Sequence, residues 1–254
     1  MDGLVAATET LEFFDAYCSY GETASPPHRY AGNVRQLRNE LDYCGIRRAL
    51  VHHAGARFGH PDDWNEVLRN DLWKLDTLIP VFAVLPRSTN EMAIPALTSG
   101  AEEKGPRPAF MVFPKEHHFA LNRKTMGGFV ESLEAARMPL FVKDDILSID
   151  RFLDECPELT VIAVGQGPHS IERYLRPIME SHANLVIETS SYIIDNCLEE
   201  ICGVFGAGRL VFGSGYPNNC SGGAVWQLLN ANLPTASKAA IASGNLERLL
   251  GAAK

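Results

Sequence analysis

The strongest constraint on this chain is an alternation. Short runs of apolar, β-branched or aromatic residues take turns with longer stretches whose apolar residues recur at helical spacing. The runs fall at 11–17, 47–53, 77–86, 108–114, 139–143, 159–165, 184–190 and 209–215. Between them lie helical patterns at 34–45, 62–75, 90–105, 127–138, 148–156, 170–180 and 194–206, with 223–230 and 236–251 after the last run. Gly45 is placed to end the first helix and Ser148 to cap the fifth. Pro95 breaks the 90–105 pattern. Runs that are apolar throughout, such as VIAV (161–164), suit strands buried on both faces. Eight such units in 254 residues predict a single (β/α)8 barrel, the TIM barrel, spanning 1–254. An open doubly wound sheet is the competing architecture, but it would normally carry a Gly-rich turn after an early strand, and none is present. No internal repeat, low-complexity run or linker divides the chain.

Charge narrows the partners. With 23 Lys and Arg against 31 Asp and Glu, the formal net charge is −8. That argues against a nucleic-acid or anionic-membrane surface, though not against a local cationic pocket. None of the six cysteines forms a C-x-x-C pair, which removes the zinc-ribbon and thioredoxin readings. The N-terminus MDGLVAATET lacks the basic start of a signal peptide, and no apolar run approaches the ~18 residues of a membrane span. The expected location is the cytoplasm, with free thiols.

Four segments carry a family resemblance over nearly the whole chain: FFDAYCSYG (13–21), LDYCGIRRALV (41–51), LVFGSGYP (210–217) and ASGNLERLLG (242–251). The chain resembles the amidohydrolase-related, metal-dependent hydrolase barrels, including their decarboxylase and lactonase branches. The last two segments are similar to that family's GSDxP signature and its closing N-x-x-R-L-L-G helix. The resemblance implies metal-dependent chemistry on carbon–nitrogen, ester or carboxylate bonds. It also implies where the ligands should be, and there the sequence departs. Tyr17-Cys18-Ser19 stands at the H-x-H of strand one. Met111 and Lys143 stand where a His or carboxylated Lys is usual. Gly165-Gln166-Gly167 replaces a His-x-Gly, and Gly215 replaces the strand-eight Asp.

A divalent metal needs three or four convergent N, O or S donors, and Tyr, Ser, Met and Gly serve poorly. The missing Asp would also have been the base on a metal-bound water. No metal or other cofactor is therefore expected at the position bounded by Tyr17, Ser19, Gly165 and Gly215. A relocated site could draw on His52, His53, His60, Glu116, His117, His118 and Asp144, but adjacent residues in an extended chain point to opposite sides. At most one histidine of each pair can face the mouth; the alternative is solvated loop histidines.

Lys143 ends the fifth run, where barrel strands deliver functional side chains. It is the candidate catalytic residue, either as a lysine of lowered pKa able to form a Schiff base or as a cation holding an anionic ligand. Its structural alternative is an ion pair with Asp144, Asp145 or Glu188. Tyr17, Ser19, His52, Gly165, Glu188, Gly215 and Tyr216 are expected to line the pocket. Asp15 reads as structural, bonded to backbone near Gly213. Cys18 has no base beside it, and Cys197 and Cys202 fit a buried helix face. Three functional classes stay open: an amidohydrolase-like enzyme, a metal-free enzyme or ligand-binding barrel built around Lys143, and a protein-interaction module. The expected partner is a small molecule, anionic if Lys143 lacks a protein carboxylate. A homodimer through the barrel helices is compatible with the sequence, but no surface patch supports one.

Overall fold

The computed structural model describes residues 11–22, 27–86, 108–167 and 172–251. The helical pattern expected at 90–105 lies outside them. Eight parallel strands run in sequential order: β1 (Phe13–Tyr20), β2 (Ile46–His53), β3 (Leu78–Ala83), β4 (Ala109–Val112), β5 (Leu140–Val142), β6 (Val161–Ala163), β7 (Leu185–Glu188) and β8 (Leu210–Val211). Backbone hydrogen bonds close the ring from the segment after β8 to β1: Ala16 N–H to Phe212 O, Gly215 N–H to Tyr17 O, and Ser19 N–H to Tyr216 O. The result is the (β/α)8 barrel expected from the alternation.

The main described helices are α1 (Val34–Tyr43), α2 (Pro61–Leu72), α3 (Arg123–Ala136), α4 (Ile146–Glu155), α5 (Glu172–Ser181), α6 (Cys197–Phe205) and α7 (Ser221–Asn230). Gly45 follows α1 at φ +74, a left-handed position that suits glycine. The cap of α4 is not Ser148. Asp145 takes that role, accepting from the N–H groups of Leu147 and Ser148 and from the Ser148 hydroxyl, so the cap lies three residues earlier. The expected 236–251 helix is interrupted by a π-turn at Ala240–Gly244. There the Ile241 carbonyl leaves the helical ladder to accept the Phe212 N–H at the end of β8.

Strand parity sorts the side chains into two packed layers. Leu140 and Val142 join the layer under the helices, whereas Phe141 points into the barrel. Phe110 and Val112 likewise face the helices, and Met111 and Phe113 face inward. The alternation carries Lys143 to the inside face at the mouth. On β2 it turns His52 inward and His53 outward, onto the indole of Trp64 (ring centroids 4.5 Å apart).

Asn65 ties α2 to the end of β3. Its side chain donates to Ala83 O (2.8 Å) and accepts from Ala83 N–H (3.0 Å), all buried. Asn65→Ala leaves both backbone groups unpaired. The expected loss is about 2–4 kcal/mol, read from the urea midpoint.

Candidate active site at the barrel mouth

A register shift in β1 between Asp15 and Cys18 sets up the first wall. Phe14 and Ala16 face inward, and strict parity would send Tyr17 outward. The irregularity turns Tyr17 into the barrel and Cys18 into the outer layer. Asp15 supports this turn from below. Its Oδ1 accepts the N–H groups of Tyr17 (2.9 Å) and Ser214 (2.8 Å), so it bonds to backbone beside Gly213, as its structural reading required.

Tyr17, Ser19 and His52 line a chamber of about 180 Å³ together with Arg57 and Phe58. Their residual exposures are only 6%, 5% and 5%, so these polar groups are held inside the fold. Tyr17 stacks on the imidazole of His52 (5.5 Å, 12°). Burial, with the Arg57 charge second, holds His52 neutral by lowering its pKa to about 3. Burial pushes the Tyr17 phenol well above its ordinary range.

Arg57 is the residue that sequence reasoning missed. It ends the short 3-10 turn Ala54–Arg57 after β2 and borders both the inner chamber and a wider cleft. Nε donates to Glu116 Oε1 (2.7 Å), and Nη2 makes a second bond to the same oxygen. The guanidinium lies over Phe58 (5.0 Å) and Phe113 (6.0 Å). Its one sequence signal was position: a basic residue in a glycine-containing turn directly after a barrel strand.

Lys143 reaches the wider cleft, an open space of about 1140 Å³ lined also by Arg57, Glu116, Asp144 and Gln166. Its Nζ donates to Gly165 O at 2.8 Å. No described carboxylate forms an ion pair with it. The expected partner Glu188 is fully buried and otherwise engaged, accepting from Gly165 N–H, Ser190 N–H and the Ser190 hydroxyl. Asp145 is spent on the α4 cap. Burial, then the neighbouring Arg57 charge, lowers the pKa of Lys143.

Two glycines at the mouth are filled from outside. A Cβ on Gly165 would lie 2.7 Å from Lys143 Nζ. One on Gly215 would lie 2.6 Å from Ser190 Oγ and 2.7 Å from Asn219 Nδ2. Tyr216 packs its side chain against the outer layer and accepts the Ser19 N–H through its carbonyl, while Pro217 and Asn218 reach the inner chamber. His117 meets Ala56 O through Nε2 (3.0 Å), and His53 accepts the Gly55 N–H through Nδ1 (3.1 Å). Among the described residues no three His, Cys, Asp or Glu side chains converge on a point that could hold a metal ion. Cys18 is buried, its thiol pushed far up by burial. All six cysteines are unpaired; Cys197 is buried and Cys202 half-buried on α6. No described helix is long and apolar enough to cross a membrane.

No protein-family model matches the chain, and no curated protein sequence does. Solved structures do. A dihydroxybenzoic acid decarboxylase from a Polaromonas species, with bound manganese and the inhibitor 2-nitroresorcinol, is similar over 96% of this chain and 98% of its own, at 15% identity and TM-score 0.72. A 2,6-dihydroxybenzoate decarboxylase complexed with 2,6-dihydroxybenzoate is similar at 17% identity and TM-score 0.67, covering 94% and 99%. A probable 2-pyrone-4,6-dicarboxylic acid hydrolase from Acinetobacter baumannii, with citric acid bound, is similar at 13% identity and TM-score 0.63, covering 95% and 100%. The chain thus shares the barrel fold of these two decarboxylases and this probable hydrolase.

Proposed function

We propose that the barrel mouth binds a small carboxylate-bearing molecule through Lys143 and Arg57, without a divalent metal. The observation that carries this reading is the Lys143 ammonium: half-buried, in the same cleft as Arg57, with one backbone carbonyl as its hydrogen-bond partner among the described residues. A cation in a partly closed site is costly unless it is paired, and an anionic ligand supplies the missing charge. Two similar structures carry ligands of this chemistry, 2,6-dihydroxybenzoate and citric acid.

Among the described residues no three His, Cys, Asp or Glu side chains converge to hold a metal such as the manganese named for the Polaromonas decarboxylase. Met111 is sealed in the inner core, and Tyr17 is stacked on His52. At Gly215, the space where a side chain would begin is taken by Ser190 and Asn219. Ligand binding in this reading rests on the chain's own cations.

Calorimetric titration with citrate and with 2,6-dihydroxybenzoate tests the reading. At least one is expected to bind, and binding should survive EDTA. Lys143→Ala and Arg57→Ala should each weaken it by roughly 10- to 100-fold, the worth of one charge-assisted hydrogen bond, while the circular dichroism spectrum is retained. Affinity that is lost with EDTA, or that is the same in Lys143→Ala, contradicts it.

A further inference from the structure

Resting on that reading of the cleft, we propose that Lys143 forms an imine with the carbonyl carbon of an oxo acid whose carboxylate is held by Arg57. Four features of the site lead there. Parity at the end of β5 delivers the lysine to the inside face of the mouth. Its fixed partner, the Gly165 carbonyl, accepts one N–H. A neutral amine keeps that bond and still has its lone pair free, so the group is aimed without being used up. Position 165 has room for the ammonium because it carries no Cβ: one placed there would stand 2.7 Å from Nζ. Gly165 is therefore a positioning residue for Lys143.

The fourth feature is the second cation. Arg57 is pinned through two of its nitrogens to Glu116 Oε1. Together with burial it favours the neutral amine of Lys143. A simple carboxylate has no use for a free amine beside a guanidinium. A molecule with both a carboxylate and a carbonyl uses both groups.

The chemistry balances with water as the only co-reactant. The amine lone pair forms the C–N bond, and the carbonyl π pair moves to oxygen, which takes up a proton from the nitrogen. Protonation of that hydroxyl lets water leave, giving a protonated imine. With a 3-oxo acid, the C–CO2 bond then breaks and its pair flows to the iminium nitrogen. CO2 departs, and the enamine takes a proton at carbon from water. Hydrolysis of the imine returns the ketone and the free Lys143 amine. The iminium nitrogen is the electron sink, a role that requires no metal.

The test uses the full chain with oxaloacetate or acetoacetate and sodium cyanoborohydride, read by intact mass and peptide mapping. The expected result is one reduced adduct on Lys143, formed faster than on any other lysine, because burial favours its neutral amine and the Gly165 carbonyl holds it in place. Excess citrate should suppress it. Lys143→Arg should keep citrate binding and lose the adduct, and Gly165→Ala should slow labelling and shift its pH midpoint. Label spread evenly over surface lysines overturns the proposal without needing any variant. Citrate binding with no label on Lys143 overturns the imine and leaves the carboxylate site standing. Label on Lys143 that citrate does not suppress keeps the imine and removes the carboxylate site. Neither binding nor label removes both.

Discussion

Gly213→Ala is expected to cost roughly 4 kcal/mol or more, enough to leave a marginal domain largely unfolded. A methyl group at this position would lie 2.0 Å from Glu188 Oε1 and 2.5 Å from its Cδ. The carboxyl cannot swing aside cheaply, because it accepts hydrogen bonds from Gly165 N–H, Ser190 N–H and the Ser190 hydroxyl. Those bonds hold the ends of β6 and β7 together, and displacing the carboxyl strands buried donors at about 1–3 kcal/mol each. The control is Gly127→Ala in α3, where a Cβ meets nothing within 4 Å. There the change should stabilise by about 0.5–1 kcal/mol through helix propensity. Urea titration of both variants gives opposite signs. Equal and small effects would show that Glu188 moves freely.

The second large effect is a pair of opposed pH dependences. Burial outweighs the three donors on Glu188 and raises its pKa from 4.5 to about 7. Between those values the folded chain keeps a proton that the unfolded chain has lost. Its contribution is therefore complete below pH 4.5 and is lost as pH rises to about 7. His52 behaves in reverse. Its pKa falls from 6.5 to about 3, so the unfolded chain binds the extra proton, and its contribution is present above 6.5 and lost as pH falls. Across the shared window of 4.5 to 6.5, each amounts to roughly 3 kcal/mol, with opposite slopes. The advantage of the wild type over Glu188→Gln should shrink as pH rises through this window. Its advantage over His52→Phe, which keeps an aromatic ring beside Tyr17, should grow. Parallel stability–pH profiles for the wild type and both variants would contradict the assignment.

Much of the barrel was legible because its signals are local. The strand runs at 108–114, 139–143 and 159–165 each contain the observed strand, since residues apolar on both faces mark strands covered on both sides. The ends were less legible. β1 continues to Tyr20, past the expected 17, because hydrogen bonds from β2 and the 215–216 segment carry the pairing on. Ser148 has the chemistry of a cap, but Asp145 lies at the actual first turn, a choice made by where the loop leaves Lys143.

The site divides in the same way. Lys143 at the mouth follows from its place after an apolar run and from strand parity. So does the outward turn of one histidine in the His52-His53 pair. Sequence by itself determined the order of strands and helices, because period and residue type act over a few neighbours. Tertiary structure alone decided what surrounds the mouth glycines and Lys143. Ser190 and Asn219 fill the space beside Gly215, the Lys143 ammonium fills that beside Gly165, and Glu188 bonds to backbone rather than to the lysine. Arg57 enters the site because a 3-10 turn folds it back toward Glu116, 59 residues further along the chain. Each of these contacts joins residues from different strand ends, and only closure of the barrel sets the distances between them.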